Sequence, residues 1–119
     1  MRTHDPLAGL AALSGALAVA AGAFGAHGAH GLSAELLKTG AQYQIVHAIA
    51  ALVALGRPLG RAAGWCFVGG GALFAGSLYA LASGAPNLIG VVTPFGGLAL
   101  IVGWVMLAVG AWRRSDAGL

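Results

Sequence analysis

From Leu7 to Phe24 the chain runs for eighteen residues without a charged side chain, and three further apolar stretches follow. At about 1.5 Å per residue, a helix of that length approaches the roughly 30 Å hydrocarbon core of a bilayer. Lipid offers no hydrogen bonds to the backbone, so apolar runs of this kind cross it as α-helices. Composition agrees: 59% of the 119 residues are hydrophobic, and there are only six basic and three acidic side chains. A soluble domain carries about a quarter of its residues charged. The expected fold is therefore all-α, an integral membrane four-transmembrane-helix bundle. It forms one domain over 1–119, with helices at about 6–26, 34–56, 62–83 and 94–112.

Local signals mark the helix ends. Asp5-Pro6 is an N-cap followed by proline at the first helical position, and Thr93-Pro94 repeats the pattern. Ser33 is placed to cap the second helix, with Glu35 in its first turn to suit the helix dipole. Gly25 to Ser33 is a glycine-rich turn carrying His27 and His30, and Gly56 to Arg61 is a short basic turn that makes the second and third helices antiparallel neighbours. The Leu7–Phe24 run also fits a secretory signal peptide, since Ala21-Gly22-Ala23 is a small-residue cleavage pattern. Its length and the three apolar spans that follow favour a retained first helix.

Small residues predict where helices meet. Ala11, Gly15, Ala18 and Gly22 form one stripe, and Gly69, Ala72, Gly76 and Ala80 another. Gly96, Gly103 and Gly110 recur every seven residues, again on one helix face. Four spans put both termini on one side. A cytoplasmic placement leaves Arg2, Arg57, Arg61, Arg113 and Arg114 inside and Lys38 outside, a positive-inside distribution. These scattered cations build no basic face, so no nucleic-acid partner is expected. The expected partners are the bilayer itself and a second copy or another membrane protein. Cys66 has no second thiol to pair with.

Polar residues within the apolar spans are the candidate functional groups. On one side of the second helix fall Gly40, Tyr43, Gln44, His47, Ala50, Ala51 and Ala54. Ile45, Ile49, Leu52 and Val53 fall on the other, an inside-out arrangement suited to lipid. His47 then lies about 12 Å below the interface, where an imidazole needs a partner or water. The expected cluster is His27, Tyr43, Gln44, His47, Ser77, Tyr79 and Thr93, gathered in the outer third of the bundle. Three readings compete. The cluster is a structural hydrogen-bond network or a small-ligand site. It is part of a solute or proton path through an oligomer. Or His27, His30 and His47 hold a metal or haem. The first is preferred, with no cofactor and no metal, because no aspartate or cysteine joins the histidines and no carboxylate lies within the membrane.

Enzyme signatures are missing. Gly69-Gly70-Gly71 precedes no lysine with Ser/Thr, so it is not a phosphate loop. Ser77 has no flanking glycine elbow, and a Ser77–His47 hydrolase would lack its acidic third member. A non-enzymatic accessory protein is the leading expectation.

Five segments also resemble a known family: Gly22-Ala23-Phe24-Gly25-Ala26-His27, Gln42-Tyr43-Gln44 with His47, Phe74-Ala75-Gly76-Ser77-Leu78-Tyr79, Thr93-Pro94-Phe95-Gly96-Gly97, and Gly103-Trp104. In this order they resemble the YgdD/YwdK family of small bacterial inner-membrane proteins. The resemblance spans about Leu7 to Trp112 and implies four helices in the inner membrane with an unassigned biochemical role. His30 departs from the motif, which weakens a His27–His30 chelate as a family property.

Overall fold

The computed structural model describes residues 4–116, and the side chains of 4–113. The arginines at positions 2 and 114, two of the expected topology signals, lie outside the residues whose side chains are described. Four long helices account for most of the chain: α1 (Pro6–His27), α2 (Gly31–Ala54), α3 (Gly60–Ala82) and α4 (Thr93–Asp116). A 3-10 turn (Asn87–Val91) interrupts the loop between α3 and α4. Among the described residues, three stretches are long and apolar enough to cross a membrane: Pro6–His27, Gly60–Ala82 and Asn87–Arg113. α2 has the length, but its polar residues lower its hydropathy.

The helices alternate in direction. Asp5 and Arg61 are paired at 3.4 Å, which sets the starts of α1 and α3 at one end. The Ser33 hydroxyl donates to the Ala82 carbonyl at 2.9 Å, joining the start of α2 to the finish of α3 at the other. Gly110, late in α4, lies against the Pro58 carbonyl of the α2–α3 turn. Arg57, Arg61 and Arg113 therefore share one end, and Glu35 and Lys38 mark the opposite one.

Among the described residues each helix packs mainly on its sequence neighbour, with no extensive contact between α1 and α4. The result is a flattened up-and-down bundle of 53 × 33 × 19 Å. Small residues form its interior: Ala11, Ala50, Ala51, Ala54 and Ala63 surround Phe67 and Leu100. Bulky residues such as Leu13, Leu17, Ile49, Val53, Ile101 and Val105 are exposed. That inversion suits a lipid surround.

The α1 stripe packs on α2 as expected: Gly15 faces Ile45 and Ala48, Gly22 faces Ala41, and Ala11 and Ala18 are buried. Gly96 and Gly103 bring α4 onto α3 in the same way, against Phe74 and Phe67. The α3 stripe does not act as expected. Gly69, Ala72 and Gly76 are exposed, and nothing lies within 4 Å of a Cβ added at Gly69 or Gly76. α3 is held on two sides, by α2 and α4, and its buried arc runs instead through Ala63, Phe67, Gly70, Gly71, Ala75 and Leu78.

Two helix starts also differ. α2 begins at Gly31, where φ is +60°, so His30 occupies the cap position without a side-chain cap. Ser33 is inside the helix and is bonded to α3, and Glu35 falls beyond the first turn. At α4, the first turn is closed by the Val92 carbonyl, which accepts from the N–H groups of Phe95 and Gly96. The Thr93 hydroxyl pairs with Ser77. Asp5 does cap α1, accepting from the Ala8 N–H at 3.2 Å. α2 stops at Ala54 because Leu55 is extended and Gly56 adopts φ +81°, ahead of Pro58.

Candidate functional site

The buried polar side chains among the described residues, Ser14, Gln44, His47 and Ser77, fall into three hydrogen-bonded groups. The first joins α1, α2 and α3: the Tyr79 hydroxyl donates to Gln44 Oε1 at 2.7 Å, and Gln44 Nε2 donates to Ser14 Oγ at 3.1 Å. Gly40 makes this geometry possible. A Cβ there would sit 2.7 Å from Tyr79 Cε1, so the missing side chain is what lets the tyrosine ring lie across α2. Gln44 and Ser14 are both buried.

The second group joins α2 to α4. His47 Nδ1 lies 2.6 Å from the Tyr43 carbonyl one turn earlier, and the Trp104 indole donates to His47 Nε2 at 3.0 Å. A carbonyl only accepts and an indole N–H only donates, so these partners assign the proton to Nδ1 and leave the Nε2 lone pair engaged. Aromatic rings enclose the imidazole. Phe67 is 5.6 Å away between centroids, Trp104 meets it edge-on at 5.8 Å, and Tyr43 lies parallel at 6.2 Å. Gly103 opens the space for Phe67: a Cβ there would be 2.6 Å from the Phe67 ring.

The third group lies nearer the Lys38 end. Ser77 Oγ donates to the Phe74 carbonyl at 2.8 Å, which makes the Thr93 hydroxyl the donor of the bond between the two side chains. This bond ties the start of α4 to α3.

The expected residues are thus sorted rather than merged. Gln44 meets Tyr79, His47 meets the backbone of Tyr43, and Ser77 meets Thr93. Ser77 and His47 are in separate groups, so the arrangement contains no serine–histidine pair. The Tyr43 ring is half-exposed and packs on Phe74 at 4.7 Å. His27 and His30 are exposed at the α1–α2 turn and belong to none of the three groups. Among the described residues, no three His, Cys, Asp or Glu side chains come together in a way that would hold a metal ion. With both ring nitrogens of His47 engaged, haem or metal ligation there would first require breaking the Trp104 bond.

The sequence reading missed Ser14 and Trp104. Ser14 is the one polar residue in the Leu7–Phe24 run, which was the available signal. Trp104 lies well inside its helix, unlike Trp65 and Trp112 near the helix ends. The groups also sit deeper than expected. Ser14, Gln44 and Trp104 are each close to the middle of their helices, so two of the three groups form a belt at mid-height. No buried side-chain nitrogen or oxygen among the described residues lacks a partner.

The comparisons with known proteins agree with a membrane setting. The family described as "Protein of unknown function (DUF423)" matches residues 21–97. The UPF0382 membrane protein YwdK of Bacillus subtilis is 38% identical over 80 residues, 61% of this chain and 65% of its own length. A UPF0382 membrane protein of Haemophilus influenzae is 45% identical over 83 residues, 66% of this chain and 67% of its own. The UPF0382 inner membrane protein YgdD of Escherichia coli K12 is 39% identical over 89 residues, 70% and 68% respectively. The chain thus spans about two thirds of the length of these relatives. No solved structure matches it.

Proposed function

The chain belongs to the DUF423 family of membrane proteins, and on that premise we propose that it is a non-enzymatic, four-span accessory protein whose polar belt locks its helices together. The observation that carries this reading is the satisfaction of the belt: each buried polar side-chain atom among the described residues has a partner within the protein. Groups satisfied in this way hold helix register. A solute path would need such groups left free to meet the solute, so the channel or transporter alternative draws less support. Haem or metal binding at His47 draws less again.

A fourth crossing by α2 is supported by its direction. It runs antiparallel to α1 and α3, joined to them by short turns, between two helices that are apolar enough to span. Cytoplasmic termini are supported by Arg57, Arg61 and Arg113 at one end against Lys38 at the other.

The test compares wild type with His47→Ala in detergent. Loss of the imidazole orphans the Trp104 N–H and leaves a small void, a cost of about 2–3 kcal/mol. The expected result is a clear loss of stability with neither stoichiometric metal nor a Soret band in either protein. A metal or haem present in wild type and lost in the variant would overturn the reading.

A further inference from the structure

A cleft of about 650 Å³ lies between α1 and α2 at the Lys38 end, away from the polar belt. Its rim carries Glu35, Lys38 and Thr39, and its floor is Ala18, Gly22 and Ala23. The floor is apolar because small residues on α1 leave a trough beside the contact of Gly22 with Ala41. From Lys38 to Ile45 the lining descends about 10 Å along α2, from charged to aliphatic. That gradient matches the passage from headgroup to acyl chain in one leaflet of a bilayer.

The rim is also specific in charge. Glu35 and Lys38 are the charged side chains at this end among the described residues, and they face each other at 3.5 Å. Both are well exposed, at 72% and 50%, so their mutual bond contributes little and opens readily. A single-sign anionic headgroup would meet Lys38 but be repelled by Glu35. A zwitterionic headgroup answers both charges at once.

We propose that this cleft seats one zwitterionic phospholipid, with its phosphate on Lys38, its headgroup ammonium on Glu35 and one acyl chain along Ala18, Gly22 and Ala23. The site is independent of which end of the bundle faces the cytoplasm.

The test uses the full chain in nanodiscs of phosphatidylglycerol and phosphatidylethanolamine mixed three to one, followed by mass spectrometry of lipid retained through gentle detergent extraction. Wild type should retain phosphatidylethanolamine with an enrichment of about fivefold over the bath, the order one exposed ion pair supplies. Glu35→Gln changes only an exposed side chain and should bring that enrichment down to the bath ratio. Ala23→Leu fills the floor from an exposed position and should release the lipid without lowering the melting temperature. Retention in the bath ratio by wild type, or enrichment unchanged in Glu35→Gln, would overturn the proposal. So would a lipid-free dimer captured through Thr39→Cys in a Cys66→Ser background, which would assign the cleft to a second copy.

Discussion

Replacing Gly96 by alanine should separate α3 from α4, and the structure supplies the magnitude. A Cβ at Gly96 would lie against the Phe74 backbone nitrogen, 2.8 Å from the Phe74 Cα and 2.9 Å from the Gly70 carbonyl oxygen. All three obstacles are backbone, so no rotamer change relieves them and the helices must move apart. Overpacking of this kind costs about 3 kcal/mol, the upper part of the usual range. Alanine's better helix propensity returns about 1 kcal/mol. The net loss should be about 2 kcal/mol. Gly76→Ala provides the control, since nothing lies within 4 Å of its added Cβ and its propensity gain stands unopposed. It should stabilise by up to about 1 kcal/mol. SDS titration of the two variants in mixed micelles, followed by circular dichroism, measures both. A neutral or stabilising Gly96→Ala would mean that α3 and α4 do not cross at Gly70 and Gly96.

Other perturbations follow from single contacts. Gln44→Leu and Tyr79→Phe, measured singly and together, should show a coupling of about 0.6–1.7 kcal/mol, the range found for hydrogen bonds between membrane helices; independent effects would contradict the Tyr79–Gln44 bond. Gly40→Ala should displace the Tyr79 ring and destabilise by about 1–3 kcal/mol, an effect that Tyr79→Ala should remove when the two are combined. Asp5→Ala should cost about 1 kcal/mol through loss of the α1 cap, while the exposed Arg61 partner adds little, so Arg61→Ala should be nearly silent. Leu59 holds φ +60° at the start of α3, and Leu59→Gly should stabilise by about 1 kcal/mol in the same titration.

Much of the fold was legible because lipid reverses the usual pattern so plainly. The small-residue stripe of α1 and the glycine heptad of α4 gave the correct buried faces, and Ile49, Leu52 and Val53 are outside as their positions on α2 required. The α3 stripe misled because small residues permit close packing without requiring it. Which arc of α3 is buried depends on having two neighbours, α2 and α4, and the pattern of one helix does not carry that information. Ser33 shows the same limit at shorter range. A serine before an apolar run reads as a cap, yet the chain had already turned helical at Gly31 and the hydroxyl found the end of α3.

At the candidate site, Gln44, His47, Ser77, Tyr79 and Thr93 stood out as polar residues in apolar spans. Their partners did not stand out equally. Ser14 is small and its hydroxyl is weakly marked, although it was alone in its run. Trp104 counts with the hydrophobic residues of its span, and its indole N–H finds an acceptor only once α4 lies beside α2. His27 shares only its residue type with His47 and only its membrane end with Ser77 and Thr93. It lies exposed at the α1–α2 turn, apart from the buried groups.

The central claim is that His47 is committed on both sides within the bundle. Nitrogen NMR of the His47 imidazole, with the chain reconstituted in lipid at pH 7.5, tests it most directly. A neutral ring protonated at Nδ1, with Nε2 correlated to the Trp104 indole proton and unchanged by added zinc or haem, is the expected result. An Nε2-protonated ring, or an Nε2 signal that moves stoichiometrically with added metal, would contradict the account.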